Sequence, residues 1–264
     1  MSPLRAALHQ GPAGVPRSVA DGLAALDEAA RRAAAEGARL LVTPELSLTG
    51  YALGDRVAEL AEPADGASAR AVARIAARHG VAVVYGYPER NGEAVHNSVR
   101  LVGPDGAPLA GYRKTHLYGG FERARFTPGD QLVVQADLDG VRVGLLVCYD
   151  VEFPEAVRAH ALAGTELLVV PTALMRPYDI VPGTVVPARA WENQLYIAYV
   201  NRLGREGEFD FAGLSCLAAP DGTVPARAGR DEALLRADID PGLLRKCRAE
   251  HSYLADRRPD LYAS

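Results

Sequence analysis

The chain has 264 residues, 48% of them apolar, and a formal net charge of −4, enough material for one large α/β domain with a substantial core. Slight acidity and the lack of a Lys/Arg cluster along any face exclude the electrostatic footprint of a nucleic-acid binder. No apolar run approaches a membrane span, and the start Met1-Ser-Pro-Leu-Arg-Ala lacks the charged and apolar regions of a secretory signal, so a cytoplasmic protein without a membrane partner is expected.

In chain order, residues 4–9 predict a strand and residues 19–36 an Ala-rich helix whose Leu23, Leu26, Ala30 and Ala33 form one stripe. Residues 40–42 predict a buried strand that runs into Thr43-Pro-Glu45, presenting a carboxylate just past its end. A helix follows over 68–79, then strands over 81–87, 94–102 and 108–112; Pro104-Asp-Gly106 makes the last turn, its glycine suited to positive φ. Lys114 closes that strand signal and is followed by Gly119-Gly-Phe-Glu122. The apolar run Val141-Arg-Val-Gly-Leu-Leu-Val147 ends in Cys148, and Tyr149-Asp-Val-Glu-Phe-Pro-Glu155 reads as the opening of a helix. That spacing predicts a thiol at a strand-to-helix junction, where the helix N-terminus favours thiolate.

The second half repeats the first. Gly37-Ala-Arg-Leu-Leu-Val-Thr-Pro44 aligns with Gly164-Thr-Glu-Leu-Leu-Val-Val-Pro171, and Gly92-Glu93, Ser98 and Pro104-Asp-Gly106 find counterparts in Gly207-Glu208, Ser215 and Pro220-Asp-Gly222. Two halves with one strand order predict two similar sheets facing each other with helices outside. No linker divides residues 1–264, which read as a single domain. The tail over 248–264 is polar, with Tyr253, Leu254, Leu261 and Tyr262 as apolar anchors. Such a segment is expected to lie on a neighbouring subunit of a homodimer or larger homo-oligomer.

Cys148, Cys216 and Cys247 are odd in number and form no C-x-x-C pair, and the six histidines offer no metal-ligand spacing. Phosphate-binding glycine loops are absent. Neither a metal nor a cofactor is expected.

Pro44-Glu45, Arg113-Lys-Thr-His116, Cys148-Tyr-Asp with Phe153-Pro-Glu155, Pro171-Thr172 and Arg189-Ala-Trp-Glu-Asn193 stand in the order and spacing of the nitrilase superfamily of carbon–nitrogen hydrolases. The chain resembles that family over nearly its whole length. The resemblance implies a four-layer α-β-β-α sandwich with two pseudo-repeated halves, in which matching strand ends bring Glu45, Lys114 and Cys148 together. It also implies a second glutamate shortly after the lysine, where Glu122 stands, to orient the substrate amide and Lys114.

An amide is a poor electrophile with a poor leaving group, so its hydrolysis needs a nucleophile, a proton shuttle and a holder for the oxyanion. Cys148, Glu45 and Lys114 would supply one each, with the Tyr149 backbone N–H beside Lys114. Tyr51, Tyr118, Tyr149, Thr172 and Ala173, each near such a strand end, are expected to contact substrate. Arg189 and Glu192 read as a local ion pair. The residues after Cys148 resemble the amidase branches, including aliphatic, stereoselective and omega-amidase-like enzymes, so the expected substrate is a small aliphatic carboxamide. The alternatives are an N-carbamoyl amide hydrolase, a nitrilase, or a catalytically inactive scaffold.

Overall fold

The computed structural model describes residues 3–262, so the last two residues of the predicted tail and the first two of the chain lie outside it. In chain order the first half contains β1 (Leu4–Gln10), α1 (Val19–Ala35), β2 (Leu40–Val42), α2 (Arg56–Leu60), α3 (Ala67–His79), β3 (Ala82–Asn91), β4 (Ala94–Val102), β5 (Pro108–Arg113) and α4 (Gly119–Arg123). The second half contains β6 (Gln135–Leu138), β7 (Val141–Leu145), α5 (Pro154–Leu162), β8 (Leu167–Thr172), α6 (Val186–Asn193), β9 (Tyr196–Asn201), β10 (Leu203–Glu206), β11 (Phe209–Ala212), β12 (Cys216–Ala218) and β13 (Ala226–Arg227). β14 (Ala233–Ile239), α7 (Pro241–Glu250) and α8 (Pro259–Tyr262) close the described chain.

Two six-stranded sheets carry the fold, ordered β14-β1-β2-β3-β4-β5 and β6-β7-β8-β9-β12-β13. Position by position the pairings agree: β1-β2-β3 and β7-β8-β9 are parallel, and the outer pairs of both sheets are antiparallel. The repeat read from the letters is therefore a repeat of topology, with Gly106 and Gly222 both at positive φ in matching turns. One difference stands out. Where β3 and β4 run as one long hairpin, the second half breaks the equivalent stretch into the separate β10-β11 pair, with Gly207 at its turn.

Strand alternation builds the layers. Ala6, Leu8, Leu40, Val42, Ala82 and Val84 face inward against Val143, Leu145, Leu167 and Val169 of the other sheet. The residues between them, Ala7, Leu41 and Val83, face outward onto Leu26, Ala30 and Ala33 of α1 and Val72 and Ala76 of α3. α5 and α6 cover the second sheet through Ala156, Val157, Val186 and Ala190. The result is the α-β-β-α sandwich.

One expectation needs correction here. Tyr149 does not open a helix: Cys148–Glu152 is a tight 3-10 turn, and α5 begins only at Pro154, whose ring is suited to a first helical position. The first part of the tail is tied to its own chain. Arg248 donates to the Gln194 and Thr165 carbonyls, Gln194 donates to the Cys247 and His251 carbonyls, and Trp191 Nε1 donates to the Tyr253 hydroxyl at 3.2 Å. Leu261 and Tyr262 remain exposed.

Candidate active site

The loop after β2 carries Glu45, which is fully buried. Its path is tight: Leu46 takes a φ of 49°, and Gly86 on β3 lies so near that a Cβ there would run into the Leu46 amide. The second half clamps this loop. Arg202, just past β9, donates to the carbonyls of Glu45 (3.1 Å) and Leu46 (3.4 Å) while ion-paired with buried Glu206. The other Glu206 oxygen accepts from the amides of Tyr51 (2.7 Å) and Ala52 (3.1 Å).

Lys114, at the end of β5, projects its ammonium between two carboxylates, 2.8 Å from Glu45 Oε1 and 2.7 Å from Glu122 Oε1. All three side chains are sealed from solvent. Burial alone would lower the Lys114 pKa, but the two carboxylates hold it well above its usual range, so the group stays charged. Glu122 also accepts from the Tyr51 hydroxyl (2.8 Å) and the Tyr118 amide (2.8 Å), which fixes both of its oxygens. It is not the exposed carboxylate that its Glu-Arg-Ala-Arg context would otherwise suggest.

Glu45 differs. Its Oε1 accepts from Asn97 Nδ2 (2.6 Å) and Lys114, whereas Oε2 is buried with no hydrogen-bond partner. Burial pushes its pKa up to about 7, against the pull of Lys114 and with the push of Glu122. One ammonium faces two carboxylates, so the cluster is one positive charge short, and Oε2 is the oxygen on which a proton can sit.

Cys148 follows Val147 at a φ of 47°, a left-handed conformation costing a non-glycine residue on the order of 1 kcal/mol. Asp150 holds that turn. Its carboxylate accepts from the Val147 amide (3.1 Å), the Tyr112 hydroxyl (2.9 Å), Thr115 Oγ1 (2.9 Å) and the His116 amide (2.8 Å). One buried carboxylate thus ties the cysteine turn to the segment just after Lys114. Burial, then the Glu45 charge, pushes the thiol well above its usual pKa, outweighing Lys114 and the Ala173 amide. The expected helix-stabilised thiolate is therefore replaced by a resting thiol, because the helix starts too late and the sulfur is desolvated.

Tyr51, Tyr118, Tyr149 and Ala173 border a cavity of about 90 Å³ over Cys148. Thr172 does not border it: its hydroxyl donates to the Val170 carbonyl at 2.9 Å. Arg189 and Glu192 pair locally at 2.9 Å, as the helical spacing suggested. Sequence reasoning missed Asn97, Asp150, Arg202 and Glu206. Asn97 and Asp150 carried a readable signal, a polar residue alternating with Val95, Val99 and Leu101 in β4 and an acid two residues past the cysteine. Arg202 and Glu206 pair with each other four residues apart, but nothing local marks their tie to the site, because the backbone groups they hold there lie more than 150 residues away. Among the described residues no group of three or more His, Cys, Asp or Glu is arranged to hold a metal ion, and no helix is long and apolar enough to cross a membrane.

The chain also matches known proteins over most of its length. The carbon-nitrogen hydrolase family model matches residues 5–249. A protein of Pseudomonas protegens described as a hydrolase in the pqqF 5' region is 46% identical, covering 98% of this chain and 90% of its own. An (R)-stereoselective amidase from a Pseudomonas species is 42% identical over 83% of this chain and 79% of its own. Among solved structures, a glutamate-to-glutamine, cysteine-to-alanine double mutant of the amidase from Nesterenkonia sp. AN1, in complex with acrylamide, superposes with a TM-score of 0.90 at 37% identity, covering 99% of this chain and 97% of that one. With the two-sheet architecture and the family model spanning nearly all of it, the chain belongs to the carbon–nitrogen hydrolases, as an enzyme of the amidase branch of the nitrilase superfamily.

Proposed function

We propose that the protein hydrolyses a small aliphatic carboxamide to a carboxylate and ammonia through a thioester on Cys148. The observation that carries this reading is the buried Glu45–Lys114–Glu122 cluster, in which Glu45 keeps one oxygen free and Lys114 keeps its charge. Glu45 Oε2 takes the thiol proton as Cys148 Sγ attacks the carbonyl carbon. Lys114 and the Tyr149 N–H stabilise the developing oxyanion, a preorganised role that a buried, permanently charged ammonium suits. Glu45 returns the proton to the departing nitrogen, ammonia leaves, and the acyl group remains on sulfur. Glu45 then takes a proton from water, which attacks the thioester, and passes it to the departing sulfur; the thiol is restored and the acid is freed, ionising to the carboxylate.

A carboxyl with a pKa of about 7 suits both directions of this transfer near neutral pH. The thiol's raised pKa supports a concerted transfer, because no thiolate accumulates before substrate arrives. Glu122 orients Lys114 and the amide and moves no proton. The small cavity favours short acyl chains. Three free, buried cysteines support a reducing, cytoplasmic setting. The test is ammonia release from a panel of short amides, with mass spectrometry of the quenched enzyme for an acyl adduct on Cys148. Cys148→Ala should lose turnover by on the order of 10⁴-fold or more while still unfolding cooperatively; substantial turnover in that variant would refute the scheme.

A further inference from the structure

Glu152 ends the tight turn that Cys148 begins, and its half-buried side chain borders the cavity over the thiol. Among the described residues no hydrogen bond or ion pair reaches its carboxylate. The two cations that act on it bond other groups, although Arg189 Nε has no partner. Lys114 is held by Glu45 and Glu122, and Arg189 sends Nη1 to Glu192 (2.9 Å) and Nη2 to the Glu152 backbone carbonyl (3.0 Å). Burial pushes the Glu152 carboxyl above its usual pKa, against Lys114 and Arg189, as expected for an acid that lacks a close partner of its own.

The neighbouring wall is aromatic. Tyr118 and Tyr149 meet edge to face with centroids 5.3 Å apart, and Tyr178 stands beside them at the cavity. Ring faces and an unpaired carboxylate attract the same kind of group, an ammonium. They repel a carboxylate.

We propose that Glu152 is a specificity-determining residue that selects amides whose acyl chain carries a protonated amine and disfavours those whose chain ends in a carboxylate. This rests on the amidase reading above and sharpens its substrate class, away from the anionic omega-amides. The amine would supply the partner that Glu152 lacks, and its binding would offset the cost of burying that acid.

The test compares kcat/KM for matched amides on the intact enzyme. β-Alaninamide and butyramide differ only by ammonium for methyl, as do γ-aminobutyramide and valeramide; succinamate supplies the anionic chain. The wild-type enzyme should prefer each cationic amide over its neutral match and handle succinamate worst, and the cationic preference should shrink as salt is raised. Glu152→Gln should reduce the cationic-to-neutral ratio by about tenfold, the scale of a partly screened charge pair, and Glu152→Lys should reverse the order in favour of succinamate. A wild-type preference for succinamate overturns the proposal whatever the variants do. So does a ratio that Glu152→Gln leaves unmoved while butyramide is still hydrolysed. If none of the five amides releases ammonia, the amidase reading fails and this inference falls with it.

Discussion

Glu45 and Thr172 occupy the same place in the two halves, each directly after a proline at the end region of a central parallel strand, yet they do opposite things. Glu45 points a free oxygen into a sealed cluster, while Thr172 turns its hydroxyl back onto its own strand. The contrast extends to the neighbouring strands. Past β7 stands Cys148, whereas the matching end of β1 carries Gln10, which ties down the Ser215 amide and the Gly229 and Asp231 carbonyls. A doubled scaffold provides two sets of strand ends, and in the proposed scheme only some of them react. The others become braces, and Arg202 shows a brace from one half acting directly on the reactive loop of the other.

If the ion cluster is what separates Glu45 from Thr172, removing its cation should hurt most. Lys114→Met leaves two carboxylates buried with no ammonium within 2.8 Å, and should cost about 3–5 kcal/mol in urea unfolding, besides abolishing turnover. A loss near zero would mean that the cluster rehydrates freely.

Glu45→Gln should lower kcat by on the order of 10³-fold and leave a distinctive pH signature. In the unfolded chain Glu45 has its ordinary pKa of 4.5, and in the folded protein about 7, so the folded state holds the proton more tightly. Its stabilising contribution is then full below 4.5 and lost as pH rises through about 7. The melting temperature of Glu45→Gln should accordingly gain on that of the wild type across this window and level off above it. A difference that stays flat with pH would remove Glu45 as the proton carrier.

Arg202→Lys tests the brace. A lysine cannot reach two carbonyls and Glu206 together, so stability should fall by about 1–3 kcal/mol and kcat by about tenfold as the Glu45 loop loosens. The smallest effect belongs to Thr172→Val, which removes one hydrogen bond within its own strand. It should cost about 1 kcal/mol, with kcat/KM within about fivefold of the wild type. A large loss of turnover there would mean that both strand ends serve the chemistry.

Much of the fold was legible because strands and turns leave local marks. The Gly-to-Pro segments of the two halves are alike in letters, and both proved to be central parallel strands. Glu45, Lys114 and Cys148 were singled out by strand-end position and family order, and Glu122 by the family resemblance; the structure brings the two glutamates and the lysine into one buried cluster with the thiol's cavity beside it. What the letters could not carry is what depends on distance and burial. The Cys148 turn read as a helix start because its residues suit both, and only Pro154 marks where α5 truly begins. Desolvation of the thiol, the free oxygen of Glu45 and the lack of a partner for Glu152 are properties of surroundings assembled from distant parts of the chain.

The Arg202 clamp has a consequence for synthesis on the ribosome. The Glu45 loop emerges early, but its ammonium partner comes at residue 114 and its backbone brace at residue 202. The first sheet, moreover, waits for β14, over 233–239, to cover the edge of β1. The nascent chain can lay down strands and helices as they appear, yet the Glu45 cluster reaches its final shape only after Arg202 has been made. The bracing of this cluster and the closing of the first sheet therefore come one after the other, and a product that stops before residue 202 lacks the brace.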